Sequence, residues 1–162
     1  NLDIKYIVLT HGHGDHIGVL SELKKYTGAQ ILIHKEDAEM LSNPEKNLSV
    51  FSYTPFSAPG ADRLLKDKDK IRIGQIELEV LHTPGHTEGS ISLLTDKVIF
   101  TGDLIFCGSV GRTDLPGGSY QRLLRSIQDK ILDKTDDTVI YPGHGPATSV
   151  GEERRNNPFL NF

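Results

Sequence analysis

The run Thr10-His11-Gly12-His13-Gly14-Asp15-His16 packs three imidazoles and a carboxylate into six positions. It follows the apolar Ile7-Val8-Leu9 directly, and packing alone does not call for such polarity at the end of a buried run. Imidazole nitrogen and carboxylate oxygen are the donors that zinc and iron take, so the chemistry is expected to be done by metal. Gly12 and Gly14 are expected to turn the backbone sharply, so that alternate side chains converge.

Three later segments repeat the plan. Val80-Leu81 leads through His82-Thr83-Pro84-Gly85 to His86. Val98-Ile99-Phe100 leads through Thr101-Gly102 to Asp103, and Val139-Ile140-Tyr141 leads through Pro142-Gly143 to His144. Each is an apolar strand, a turn containing glycine, and one potential ligand. Ligands at strand ends can converge on one rim, because strands fix direction and loops set reach. His11, His13, Asp15, His16, His86, Asp103 and His144 make seven candidates. One zinc takes about four ligands. Two metals about 3.5–4 Å apart, with a bridging carboxylate and positions open to water, use all of them. Asp103 is the natural bridge, since each of its oxygens can hold one ion.

Other reactive residues read as structural. His34 and His82 are expected to be satisfied core or surface groups. Cys107 reads as a small buried hydrophobe rather than a nucleophile. Arg112 reads as half of a buried salt bridge with Asp114 that holds its loop, ahead of a contact with a substrate carboxylate. Glu152-Glu153-Arg154-Arg155 reads as a solvated helix face.

The elements that must position these donors follow from periodicity. Residues 4–9 and 30–33 are short and apolar, as buried strands are. A helix is expected from Asp15 or His16 to about Tyr26, stopped at Gly28, with Val19, Leu20, Leu23 and Tyr26 inward. A short helix is expected over 34–41, ended by Asn43-Pro44. Residues 43–62 are irregular, and Phe51, Tyr53 and Phe56 are expected to anchor that loop on the core. Residues 66–70 read as a solvated turn. Residues 71–73 and 76–80 form a hairpin around Gly74, and 91–94 pair with 98–101 around Asp96-Lys97. Ser119 caps a helix with Tyr120, Leu123, Leu124, Ile127 and Ile131 on one face. A strand over 138–141 and a short helix over 152–156 complete one domain.

The chain has 162 residues, 36% hydrophobic and 25% charged, with a formal charge of −4. That composition suits a globular domain with its own core. The acidic balance argues against a nucleic-acid partner, and no apolar run is long enough to span a membrane. A single cysteine excludes an internal disulfide framework and a multi-thiolate zinc site, which fits a cytoplasmic setting. A pure binding role is disfavoured, because keeping seven convergent donors buried is costly without chemistry. The expected partner is a small-molecule substrate.

With these motifs the chain resembles the metallo-β-lactamase superfamily, whose signature is a His-x-His-x-Asp-His loop. Within it the chain looks like the short glyoxalase II-like hydrolases. Thr83-Pro84-Gly85-His86-Thr87-Glu88-Gly89-Ser90, Thr101-Gly102-Asp103, Gly111-Arg112-Thr113-Asp114 and Tyr141-Pro142-Gly143-His144-Gly145-Pro146 carry that match. The resemblance implies an α/β fold, a four-layer αβ/βα sandwich over residues 1–162 with metals at its edge. It assigns His11, His13 and His86 to one metal and Asp15, His16 and His144 to the other, with Asp103 between them. The family's first strands precede the His-rich strand, so the chain is expected to lack an N-terminal piece. The implied cofactors are two divalent ions, zinc ahead of iron or manganese. The implied activity is hydrolysis of a thioester, such as a hydroxyacyl-glutathione, by metal-bound hydroxide. Two rival activities are implied by the same likeness. One is a mononuclear-iron persulfide dioxygenase using His11, His86 and Asp103. The other is a lactonase, β-lactamase or nuclease on the same site.

Overall fold

The computed structural model describes residues 3–160. Its contacts divide the chain into two compact units, residues 1–65 and 66–162.

The first unit is built on three parallel strands in the order β1 (Tyr6–Val8), β2 (Gln30–His34) and β3 (Arg63–Leu65). Strands β1 and β2 are joined through two short helices, α1 (Gly14–Ile17) and α2 (Leu20–Thr27). Gly28 ends α2 in the left-handed conformation and returns its N–H to the Lys24 carbonyl, as expected of a C-terminal glycine. The break between the helices resets the helical phase. Ile17 and Leu20 therefore face the core, whereas Val19, Leu23 and Tyr26 are exposed, contrary to expectation. The core joins Leu9, Ile17, Leu20, Ile31, Ile33 and Leu41. Asp62 ties its edge, accepting from the Ile31 amide at 2.7 Å and the Lys24 ammonium at 2.6 Å. The expected helix after β2 is a 3-10 turn, Lys35–Leu41, capped by the His34 ring, which accepts from the Glu36 amide. Residues 43–62 contain one 3-10 turn, Ser49–Phe51. Of the three rings expected to anchor that loop, only Phe56 packs on the core; Phe51 and Tyr53 stand in solvent.

The second unit holds a six-stranded sheet. In chain order the strands are β4 (Lys70–Ile73), β5 (Ile76–His82), β6 (Ile91–Thr95), β7 (Val98–Gly102), β10 (Val139–Pro142) and β11 (Thr148–Ser149). Their spatial order is β11-β10-β7-β6-β5-β4. Strands β4 to β7 form an antiparallel meander, and β10 runs parallel to β7. Between these two lie a small hairpin, β8 (Ile105–Phe106) with β9 (Ser109–Val110), and the helix α3 (Tyr120–Ser126). Ser119 caps α3 by accepting from the Arg122 amide. Its final turn, Ile127–Ile131, is a π-helix closed by the Leu132 amide on the Ile127 carbonyl. Leu123, Ile127 and Ile131 are buried as expected, in a core with Ile99, Leu104, Ile105, Ile140 and Val150, while Tyr120 is exposed. The helix α4 (Val150–Asn156) follows β11 directly and is capped by Ser149.

The charged turn at 66–70 is only partly solvated. Asp67 accepts from the His82 amide at 2.8 Å and pairs with Lys130 at 3.2 Å. Among the described residues no helix is long and apolar enough to cross a membrane.

Candidate metal centre

Each unit carries one group of donors at the ends of its strands. In the first unit the chain leaves β1 through the Leu9 amide, bonded to the Leu32 carbonyl at 2.9 Å. The next residues carry the rings. His11 and His13 meet edge to face with centroids 4.9 Å apart, and His11 and His16 lie 4.1 Å apart. Asp15 stands beside His16, with Oδ2 at 3.6 Å from Nε2. His11 and His13 are buried, whereas Asp15 opens to solvent.

The local fold explains the convergence differently from the sequence reading. Neither Gly12 nor Gly14 has a positive φ. Their lack of a side chain serves close packing instead: a Cβ on Gly12 would lie 2.6 Å from the Met40 Cβ. The Gly12 amide donates to Asp37 Oδ2 at 3.3 Å and the Gly14 amide to the Asn47 carbonyl at 2.7 Å. His13 is the residue at which extended backbone becomes helix α1. His11 and His13 thus sit on extended chain, and Asp15 and His16 on the first helical turn.

In the second unit three donors gather at the ends of β5, β7 and β10. Asp103 Oδ2 lies 3.7 Å from His86 Nε2 and 3.5 Å from His144 Nε2. The Gly143 amide donates to the Gly102 carbonyl at 2.9 Å, which locks the end of β10 to the end of β7 and sets His144 against Asp103. His86 is buried, and its Nδ1 meets the Arg112 carbonyl at 2.8 Å. A carbonyl only accepts, so Nδ1 carries the proton and Nε2 is the nitrogen whose lone pair could bind an ion. Gly85 makes the preceding turn with φ +144° against the backbone of Leu123, a conformation reserved in practice for glycine.

These donors suit a divalent ion. Imidazoles with accessible lone pairs and a carboxylate, grouped tightly with few other cations among them, are what zinc and iron bind.

Of the residues read as structural, His34 caps a turn and His82 Nε2 bonds the Glu88 carbonyl at 2.9 Å. Arg112 and Asp114 do form a two-pronged ion pair, 2.8 Å on both arms, but it is exposed rather than buried. The Arg112 guanidinium holds the Asp114 carboxyl at about 2. Cys107 is exposed, not buried, because it occupies the tip of the β8–β9 hairpin. Glu153 departs most from expectation. It is 1% exposed rather than part of a solvated face. Its phase explains this: Val150, Glu153 and Asn157 recur on one side of α4 and are all buried.

Comparisons with known proteins follow the same lines. The family model described as the metallo-β-lactamase superfamily matches residues 1–144. The hydroxyacylglutathione hydrolase GloC of Haemophilus influenzae is 40% identical, over 99% of this chain and 78% of its own length. The crystal structure of the BLEG-1 B3 metallo-β-lactamase superposes with a TM-score of 0.94 at 38% identity, covering 99% of this chain and 79% of that one. That of TTHA1623 in a di-iron-bound form gives 0.84 at 34% identity, covering 96% and 77%. Donor chemistry, strand-end placement and these likenesses agree: the chain has the metallo-β-lactamase fold and belongs to the metallo-β-lactamase superfamily as a metal-dependent hydrolase.

Proposed function

We propose that this chain is a glyoxalase II-like thioesterase that cleaves a hydroxyacyl-glutathione or a similar thioester. The observation that carries the reading is the 40% identity to a hydroxyacylglutathione hydrolase across 99% of the chain. The family model crosses the boundary between the two units, which supports reading residues 1–162 as one domain.

In this reading His11, His13 and His86 hold one divalent ion, Asp15, His16 and His144 hold the other, and Asp103 serves both. Zinc is the first choice and iron the second, the latter supported by the di-iron relative. When bound, such a pair of cations supplies water acidified toward neutral pH and charge to stabilise the oxyanion of an attacked carbonyl. The chain's own contribution is placement. Arg112 fixes the His86 tautomer through its carbonyl. Asp103 presents one oxygen toward His86 and His144 alike. Strand ends and tight turns hold all these groups rigid, as a pre-organised site requires. A thiolate leaves readily, so the reaction needs little from a general acid.

The experiment is hydrolysis of S-lactoylglutathione by the wild type and by His86→Ala, assayed at matched metal content. A loss of at least about 100-fold is expected, within the range for removing a group that organises charge stabilisation. Near-normal hydrolysis refutes the site. Oxygen uptake with a glutathione persulfide, on one iron per chain and without thioester cleavage, replaces this reading with the dioxygenase.

A further inference from the structure

Helix α4 carries a buried carboxylate that the proposed chemistry does not use. Glu153 Oε2 accepts from the Gly108 amide at 3.0 Å and from Asn157 Nδ2 at 2.7 Å. Its Oε1 accepts from the Thr148 hydroxyl at 2.6 Å. Asn157 reaches the same turn, donating from Nδ2 to the Ser109 carbonyl at 3.0 Å. Glu153 of α4 and Asn157, which caps that helix, thus clasp the tip of the β8–β9 hairpin. A buried carboxylate is costly unless donors fill it. Three donors fill this one, and deleting it would leave the buried Asn157 amide without this acceptor and cut the ties to the Gly108 amide and the Thr148 hydroxyl.

The clasped hairpin and the residues that flank it reach each donor of the second unit. Asp103 lies two residues before it, and the Gly111 amide closes its base on the Leu104 carbonyl at 3.1 Å. The Phe106 ring sits edge-on to the His144 imidazole, with centroids 6.2 Å apart, a favourable aromatic geometry. Arg112, just past the hairpin, offers its carbonyl to His86. Thr148, the third partner of Glu153, opens β11 and pairs with Ile140 of β10, the strand that ends before His144.

We propose that Glu153 is a positioning residue for His86, Asp103 and His144, acting by fixing the tip of the hairpin that joins their surroundings. The inference rests on the reading of these three as metal ligands. A purely structural Glu153 would lower the melting temperature and leave metal affinity in the folded protein unchanged.

Two readouts separate these roles, neither of them activity. The first is zinc affinity of the full chain, by competition with a chromophoric chelator. The second is the mobility of a nitroxide label on Cys107, the single cysteine, exposed beside Gly108. It is read by electron paramagnetic resonance without metal. Glu153→Ala is expected to weaken zinc binding by about 10–100-fold, as loss of supporting contacts around a metal site does, and to add a mobile component to the spectrum. Glu153→Gln keeps an oxygen for Gly108 and Asn157, and the Thr148 hydroxyl can rotate to accept from the new amide, so both readouts are expected to return close to wild type. Ile131→Val, buried in the same core, serves as a destabilised control that leaves zinc affinity intact. If wild type binds zinc and Glu153→Ala binds it equally, or if Ile131→Val weakens zinc as much, Glu153 has no positioning role. If wild type binds neither zinc nor iron, the metal reading falls and this inference with it.

Discussion

Gly85→Ala is the substitution whose effect the structure specifies most closely. The residue sits at φ +144°, and a Cβ there would meet the backbone nitrogen and Cα of Leu123, with the Leu123 Cβ at 2.5 Å. Helix α3 cannot retreat. The Ser119 amide donates to the Gly85 carbonyl at 2.8 Å, and the Ser126 hydroxyl to the Pro84 carbonyl at 2.7 Å. Leu123 itself is fully buried in the core. Backbone strain of about 1–3 kcal/mol and overpacking of about 1–3 kcal/mol then add to roughly 4 kcal/mol. For a chain of 162 residues that corresponds to a fall of about 8–16 °C in melting temperature, at about 2–4 °C per kcal/mol. His86, a proposed ligand, is the next residue, so relief by moving the turn draws it away from Asp103 and is expected to lower bound zinc as well. Calorimetry of the metal-free and zinc-loaded protein, with elemental analysis, measures both. Because the obstacle is backbone, truncation with Leu123→Ala is expected to deepen the loss rather than rescue it. A fall smaller than about 3 °C with full zinc occupancy, against the strain and overpacking expected here, refutes the argument, as does rescue by the double variant.

Four further outcomes are expected. Chelation of bound metal lowers the melting temperature, since metal at about 100 times its dissociation constant stabilises by about 2.7 kcal/mol; identical melts with and without chelator contradict a metal centre. Asp67 tests a pH dependence. Its burial raises the carboxyl, but the His82 amide and the Lys130 ammonium lower it further, leaving it below the ordinary value. A depressed folded value stabilises above the unfolded pKa and is lost as pH falls through the folded one, so Asp67→Asn is expected to destabilise near pH 7 and to make no difference in strong acid, by melts across pH. Asp114→Asn is expected to leave the melting temperature unchanged, because its ion pair is exposed. Phe56→Ala is expected to cost about 2 kcal/mol, below the full-burial range for phenylalanine, whereas Phe51→Ser and Tyr53→Ser, both exposed, cost nothing measurable by denaturant titration.

The donors were legible in the sequence because each breaks a local rule. A His or Asp after an apolar strand and a glycine has no packing reason to be there, so type and position speak together. Strands with a period-two pattern, such as β4 with β5, were legible for the opposite reason, because their alternation follows a local rule. The α1–α2 region was not. Its apolar residues at 19, 20, 23 and 26 fit one helix, but the break near Gly18 shifts the phase, and only the tertiary fold decides which face is buried. Strand β3 is three residues long, too short for a period to register.

Glu153 shows a different limit. In isolation, Glu152-Glu153-Arg154-Arg155 is indistinguishable from a solvated face, because charge alone does not encode burial. The signal lay outside the block, in Val150 and Asn157 at helical spacing on either side. A polar residue flanked in phase by an apolar one is a candidate for a buried, fully bonded role, and this is the pattern at Glu153. The candidate ligands could be read because they are anomalous for packing. Their support could not, because a supporting residue obeys every local rule and differs only in what the chain brings to it. A residue of that kind reveals itself when its removal changes a ligand it never touches, which is the difference between Glu153→Ala and Ile131→Val.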